Sequence, residues 1–154
     1  MKIRKATPKD FQKLKEIKTE FFLWECKMDD RVNPDYAKRN LGVRLGINLR
    51  QKNVVFFIAE DNGKIVAYAG AQIEKNYPPN VEKFRGHLFN LYVRKEYQSK
   101  GIGTKLIKKV LAWFKEKKIT DLKIMVYSKN EGAHKLYERM GYKDYIVMLR
   151  KCGK

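Results

Sequence analysis

The stretch from Phe84 to Tyr127 constrains the chain most. Phe84 to Val93 reads as a strand, Gly101 to Lys117 as a helix, and Leu122 to Tyr127 as a further strand. In the helix, Leu106, Ile107, Val110, Leu111 and Phe114 form one apolar face, and Lys105, Lys108, Lys109 and Lys115 lie off it. A strand–helix–strand unit closes through a right-handed crossover, which makes its two strands parallel and lays the helix on a face of the sheet. The remaining elements must join that unit.

Upstream, Ile3 to Ala6 reads as a short strand, and Thr7-Pro8-Lys9-Asp10 as a helix start, with Thr7 as N-cap and Pro8 in the first turn. Phe11, Leu14, Ile17, Lys18, Phe21 and Phe22 follow with helical spacing. Asn33-Pro34 opens a second helix to about Leu49, with Leu41, Leu45 and Leu49 at four-residue intervals. Val54 to Glu60 and Ile65 to Glu74 are strands joined by a hairpin turn at Asn62-Gly63, and Asn76 to Asn80 is a loop. Downstream, Glu131 to Met140 is a short helix stopped by Gly141, and Tyr142 to Leu149 is a last strand. The order β-α-α-β-β-β-α-β-α-β predicts an α/β fold, a central mixed sheet flanked by helices.

With 154 residues, 44% hydrophobic, the chain is expected to form one domain over 1–154. Cys26 and Cys152 match no metal or CxxC spacing and are expected as free thiols in a reducing cytoplasm. The first residues lack a signal-peptide apolar stretch, and the apolar runs Val54 to Ala59 and Ile65 to Ala71 are far shorter than the ~20 residues of a membrane span. No membrane partner is therefore expected. The net charge of +18 is compatible with an anionic partner, whether nucleic acid, acidic lipid or a polyphosphate cofactor, and equally with a lysine-rich solvated surface; composition does not choose among them.

Chemistry concentrates in Leu91-Tyr92-Val93-Arg94-Lys95-Glu96-Tyr97-Gln98-Ser99-Lys100-Gly101-Ile102-Gly103. A strand runs into a basic loop with two glycines that opens a helix. Free N–H groups at the helix start make an anion site, and glycine lets a ligand approach the backbone. Position 106 is Leu, so the dinucleotide pattern GxGxxG is broken, and the phosphate-loop pattern GxxxxGK[ST] is absent.

Gln98-x-x-Gly101-x-Gly103 after a strand resembles the coenzyme A pyrophosphate loop of the GNAT superfamily of N-acetyltransferases, Gln/Arg-x-x-Gly-x-Gly/Ala. A second family pattern, Asn-x-x-Ala-x-x-x-Tyr-x-x-x-Gly-Phe/Tyr, is matched by Asn130, Ala133, Tyr137, Gly141 and Tyr142. The resemblance implies a GNAT-like fold and acetyl transfer from acetyl-CoA to a primary amine, with no metal. It implies that the strand end at Leu91, Tyr92 and Val93 pairs with the pantetheine arm. It implies that Gln98, Ser99, Lys100, Gly101, Ile102, Gly103 and Thr104 surround the pyrophosphate, and that Asn130 and Ala133 adjoin the pantetheine. Tyr137 stands where a tyrosine protonates the departing thiolate.

The resemblance also puts His87 where a general base stands on the motif strand, with Glu74 as runner-up. Simple alternation sets His87 on one strand face with Phe89, Leu91 and Val93. Phe89-Asn90 replaces a Glu-Asp pair of some relatives, which disfavours a carboxylate base there. His134, Lys135 and Arg139 read as surface residues, Phe21, Phe22 and Trp24 as core, and Glu25, Asp29 and Asp30 as an acidic border of the first inter-helix loop. A basic nucleic-acid-binding protein is the alternative function, though no RNA-recognition, zinc-finger or helix-turn-helix pattern supports it, and so is a non-catalytic acyl-CoA sensor. The amine acceptor is not legible, nor is the oligomeric state, a homodimer included.

Overall fold

The structure, a computed structural model, describes residues 1–78 and 80–151, so Pro79 of the expected loop and Cys152 lie outside the described residues. In chain order the elements are β1 (Lys2–Lys5), α1 (Phe11–Met28), α2 (Asp35–Asn48), β2 (Val54–Asp61), β3 (Lys64–Lys75), β4 (Phe84–Val93), α3 (Ile102–Glu116), β5 (Leu122–Ile124) and α4 (Glu131–Arg139). Tight 3-10 turns at Pro8–Asp10 and Lys95–Tyr97 precede α1 and α3. The five strands form one sheet in the order β1-β2-β3-β4-β5. Its first four strands pair antiparallel, and β4 pairs parallel with β5 across the α3 crossover.

The entry to α1 follows its sequence. The Thr7 N–H and hydroxyl both donate to the Asp10 carboxylate, at 2.8 and 3.0 Å. Arg4 grips the same carboxylate with two nitrogens at 2.8 and 2.7 Å and so ties β1 to the turn. The hairpin between β2 and β3 turns on Asn62 and Gly63, both at positive φ, the geometry for which Asn-Gly is selected.

The sheet buries a core on each face. Val55, Ala67, Ala69, Ala71 and Leu88 pack against Leu106, Ile107, Val110 and Phe114 of α3. Phe56, Ile58 and Tyr68 pack on the other face against Leu14, Ile17 and Phe21 of α1 and Leu45 of α2. Phe21 is core, as expected, while Trp24 is half-buried and stacks on it, and Phe22 stacks on Tyr36.

Two expectations are corrected. β5 ends at Ile124 rather than Tyr127, because it loses its partner there: the ladder with β4 stops at Leu88–Ile124. Tyr142 to Leu149 forms no strand. Its residues Tyr145 to Leu149 are 71–91% exposed, and β propensity is realised only against a neighbouring strand and a packed face.

Candidate functional site

The site begins with an irregularity in β4. Leu88 pairs with Ala71 and Asn90 with Gly70, so Phe89 is an extra residue, a β-bulge. A Cβ on Gly86 would lie 2.6 Å from the Phe114 ring, so Gly86 faces α3, and Leu88 belongs to the same core. His87 and Phe89 therefore face α1 and α2. Phe89 seats its ring on Gly70, where a Cβ would come within 2.6 Å of it. Beyond the bulge the alternation is reset: Asn90 meets Lys18 of α1, and Leu91 and Val93 pack on the α3 face. The expectation that His87 shares a face with Leu91 and Val93 is thus corrected, because the bulge inserts one residue into a period of two.

The bulge also coincides with the point where β5 leaves β4. From Phe89 to Val93 the β4 edge has, among the described residues, no strand partner on that side. Arg94 N–H donates to the Val66 carbonyl of β3 at 3.0 Å, so by ladder alternation Val93 and Leu91 present their N–H and C=O to the unpaired edge. The Gln98 side-chain amide takes up the Val93 carbonyl at 2.9 Å, which turns the loop after β4 toward α3. Tyr92 points the other way, into the α1 face beside Phe21.

That loop ends in a helix start without a side-chain cap. Ser99 and Gly101 both adopt positive φ, +60° and +72°, on either side of Lys100. Such a twist gathers successive N–H groups toward one concavity, a nest for an anion. Gly101 is the N-cap, and an added Cβ there would meet nothing within 4 Å, so its need for glycine is conformational. The N–H groups of Ile102, Gly103 and Thr104 fall in the first turn, where the helix offers them no acceptor. A Cβ on Gly103 would lie 3.8 Å from Leu91 and Val93 and 4.0 Å from Leu136, so α3 and α4 close the slot on that face. The Lys100 ammonium sits 5.2 Å from the Tyr97 ring centroid.

Across the slot, the Asn130 carbonyl oxygen caps α4 by accepting from Ala133 N–H at 3.3 Å, which leaves its amide N–H groups as donors. Tyr137, seven residues on, is buried with the α3-face core and meets Tyr142 edge-on at 5.9 Å. Burial raises its phenol further above the ordinary tyrosine range, so it stays protonated at neutral pH. His134, partly exposed, pairs with Asp144 at 2.7 Å; that hydrogen bond raises its pKa. Lys135 and Arg139 are exposed as expected.

His87 and Glu74 belong to one polar cluster on the α1 and α2 face of the sheet. Glu74 accepts from Arg85 at 2.7 Å, Lys123 at 3.0 Å and Gln72 at 2.9 Å. Burial alone would raise its carboxyl, but these hydrogen bonds win and hold it at about 2. A carboxylate so stabilised is a weak base. His87 Nδ1 lies 3.6 Å from Glu74 and, among the described residues, has no hydrogen-bond partner. Burial, aided by Lys123, lowers the His87 pKa against the opposing pull of Glu74, so the ring is neutral at pH 7.

One part of the site escapes a reading of the sequence. Lys18, only 8% exposed, donates to the Asn90 side-chain oxygen at 2.9 Å beside the bulge. Its signal is a lysine standing among the apolar positions of the first helix. Glu25 lies in the last turns of α1 and is half-buried rather than part of a solvated loop. Asp29 pairs with Arg31 at 2.8 Å, and Asp30 is exposed. Among the described residues no group of three or more His, Cys, Asp or Glu could hold a metal ion, and no helix is long and apolar enough to cross a membrane.

A model of the acetyltransferase (GNAT) family matches residues 11–142. The chain is 31% identical over 108 residues to an N-alpha-acetyltransferase of Sulfurisphaera tokodaii, covering 66% of this chain and 64% of that one. It spans 41% of the length of another curated relative, an N-acetyltransferase of Methanocaldococcus jannaschii, so it covers less than two thirds of either. Its fold is like that of a tetramutant of the BH1408 protein from Bacillus halodurans, with a TM-score of 0.84 at 19% identity over 99% of each chain. It is also like that of the aminoglycoside N-acetyltransferase AAC(6')-Iy in complex with CoA, with a TM-score of 0.75 at 15% identity over 99% of this chain and 100% of that one. A bulged β4 that parts from β5 beside an uncapped helix start is thus found in a chain that belongs to the acetyltransferase (GNAT) family.

Proposed function

We propose that this chain transfers the acetyl group of acetyl-CoA to a primary amine by direct attack. The observation that carries the reading is the continuity of two backbone features. The unpaired edge of β4, open at Leu91, leads straight to the Ser99–Gly101 nest and the first turn of α3. An extended amide-bearing arm suits the edge, and a pyrophosphate suits the nest. The neighbour that holds CoA and the relative that acts as an N-alpha-acetyltransferase support the same assignment.

Acetyl-CoA supplies an activated acetyl thioester. Leu91 would hold the pantetheine through its backbone, and the Asn130 amide would hold it from the other side. The N–H groups from Gln98 to Thr104 would hold the pyrophosphate. An unpaired β4 N–H near Leu91 would stabilise the carbonyl oxygen as charge develops on it.

His87 takes the amine proton in this reading. Its ring is neutral at pH 7, it lies on the face that α3 and α4 leave open, and Glu74 faces Nδ1. Glu74 itself, at about 2, is too weak a base and serves to orient the ring. Tyr137 assists the leaving sulfur. A phenol at ~10 is already a weaker acid than a thiol at ~8.5, and burial weakens it further, so Tyr137 contributes a hydrogen bond rather than a complete proton transfer. A cytoplasmic location is part of the proposal, supported by the free thiol of Cys26.

The test is thiol release from acetyl-CoA in the presence of α-amino peptides, lysine peptides, polyamines and aminoglycosides. Amine-dependent release supports the reading. Binding of acetyl-CoA without release, against every amine class, would instead mark a non-catalytic binder.

A further inference from the structure

Lys18 projects from α1 toward the sheet and ends at the β4 bulge. Its Nζ donates to the Asn90 side-chain oxygen at 2.9 Å and lies 5.4 and 5.2 Å from the ring centroids of Phe56 and Tyr68. Among the described residues it has no carboxylate partner within ion-pair distance. An ammonium group has three donors, and one is used. The Tyr68 hydroxyl, in the core on the same side of the sheet, is fully buried and among the described residues has no hydrogen-bond partner. Two buried polar groups with unfilled hydrogen bonds thus lie on the α1 side of the sheet.

This place matters if acetyl transfer occurs here, and the inference rests on that reading. Gly103, Leu136, Leu91 and Val93 close the slot on the α3 face. An acceptor reaching the Leu88–Asn90 end from the α1 face would come to the side that carries Lys18, Tyr68, Asn90 and His87. We propose that Lys18 is a specificity-determining residue that disfavours the ammonium form of the bound acceptor, so that the amine is held neutral and ready to attack. A fixed like charge lowers the pKa of a neighbouring amine, and it acts most strongly where burial removes screening. The amines best suited are weakly basic ones: α-amino groups at ~8, rather than lysine ε-amines at ~10.4.

The charges around Lys18 are consistent with this. Burial lowers its own pKa to about 8, Glu25 on α1 opposes that, and Arg44 on α2 adds to it. At pH 7 it remains mostly protonated. Tyr68 faces it from β3, and Tyr92 of β4 packs in the same core; both are neutral phenols with pKa values raised by burial. Among the described residues Glu25 is the carboxylate that opposes Lys18; it is half-buried, and burial raises its own pKa, whereas Lys18 is almost fully buried.

The experiment is the pH dependence of kcat, which reports ionisations in the enzyme–substrate complex. It is measured with two acceptors that differ in amine basicity, for the wild type, Lys18→Met and Lys18→Arg. Thermal melts with acetyl-CoA check that each variant is folded and binds cofactor. The acidic limb is expected to follow acceptor basicity, to lie below the solution pKa of each amine, and to move up by about one pH unit in Lys18→Met. In Lys18→Arg, which keeps the charge, it should stay where it is. A limb unmoved in Lys18→Met, one shifted equally in Lys18→Arg, or one indifferent to acceptor basicity and so set by His87, overturns the inference and leaves acetyl transfer standing. A wild type that releases no thiol with any amine overturns both. If Lys18→Met does not fold, a wild-type limb at or above the solution pKa of the amine is itself sufficient to overturn it.

Discussion

The two sides of β4 solve different problems with different chemistry. Toward α3, the strand offers apolar side chains, Leu91 and Val93, together with backbone groups and a glycine-bearing helix start. The titratable group described on that side, the buried Tyr137, stays protonated at neutral pH. Toward α1 and α2, within a few residues of the same strand, stand His87, Asn90, Lys18 and Tyr68. On the proposed reading, the difference teaches that the cofactor would be held by backbone, which tolerates sequence change, while proton handling and acceptor choice would rest on side chains. The bulge at Phe89 is the device that separates them, since it turns His87 and Leu91 to opposite faces.

The comparison breaks most completely at Gly103. In Gly103→Glu the new carboxylate sits in the first turn of α3, where it favours the helix by ~0.3–1 kcal/mol. It also projects toward Leu91, Val93 and Leu136 and repels a pyrophosphate. The variant should fold with a normal melt and bind acetyl-CoA at least about 10³-fold more weakly, roughly 4 kcal/mol. Calorimetric titration checks this. Retained affinity in the folded variant would remove the nest from the cofactor site.

On the opposite face, His87→Gln should lower kcat/KM about 10²-fold at pH 7, the low end for acid–base catalysis. Acetyl-CoA affinity should stay unchanged. Because the His87 pKa is depressed, the wild-type limb belonging to this base should lie below 6.5. A variant with full activity would move the base elsewhere. Glu74→Gln should have a smaller effect, through the orientation of the His87 ring.

Tyr137 sharpens the account of the cofactor side. Tyr137→Phe removes one hydrogen bond to a charged sulfur, ~1.5–3 kcal/mol, and keeps the ring in its packing against Tyr142. Steady-state kinetics should show kcat down about 30-fold and acetyl-CoA affinity unchanged. Full activity in the Phe variant would make Tyr137 a packing residue only.

The fold and the glycine-bearing start of α3 are legible in the sequence, and the reason is physical. The apolar face of α3, the Asn62-Gly63 turn and Gln98-x-x-Gly101-x-Gly103 are local patterns with a local cause. The bulge is not legible. Nothing in Leu88-Phe89-Asn90 announces an extra residue, whose seat depends on Gly70 in another strand. Simple alternation misplaces His87 for that reason. Tyr142 to Leu149 carries the propensity of a strand, yet a strand needs a neighbour, and β5 is three residues long. Lys18 is visible only as an anomaly in the apolar periodicity of α1; its partner Asn90 is 72 residues away.

The smallest expected effect is on stability. Lys18 has a folded-state pKa of about 8, below the ~10.4 of an unfolded lysine. Between those values the unfolded chain holds more protons, so stability contributed by this group rises with pH. The melting temperature of the wild type should therefore climb relative to Lys18→Met from pH 8 to pH 10. A constant difference across that range would mean the Lys18 amine is not desolvated.

Amide hydrogen exchange with and without saturating acetyl-CoA tests the division of β4 most directly, because it needs no acceptor. The account predicts slowed exchange at Leu91, Val93 and the amides from Gln98 to Thr104, with little change along α1 from Leu14 to Glu25. Protection centred on α1, or none at the β4 edge and the start of α3, would contradict it.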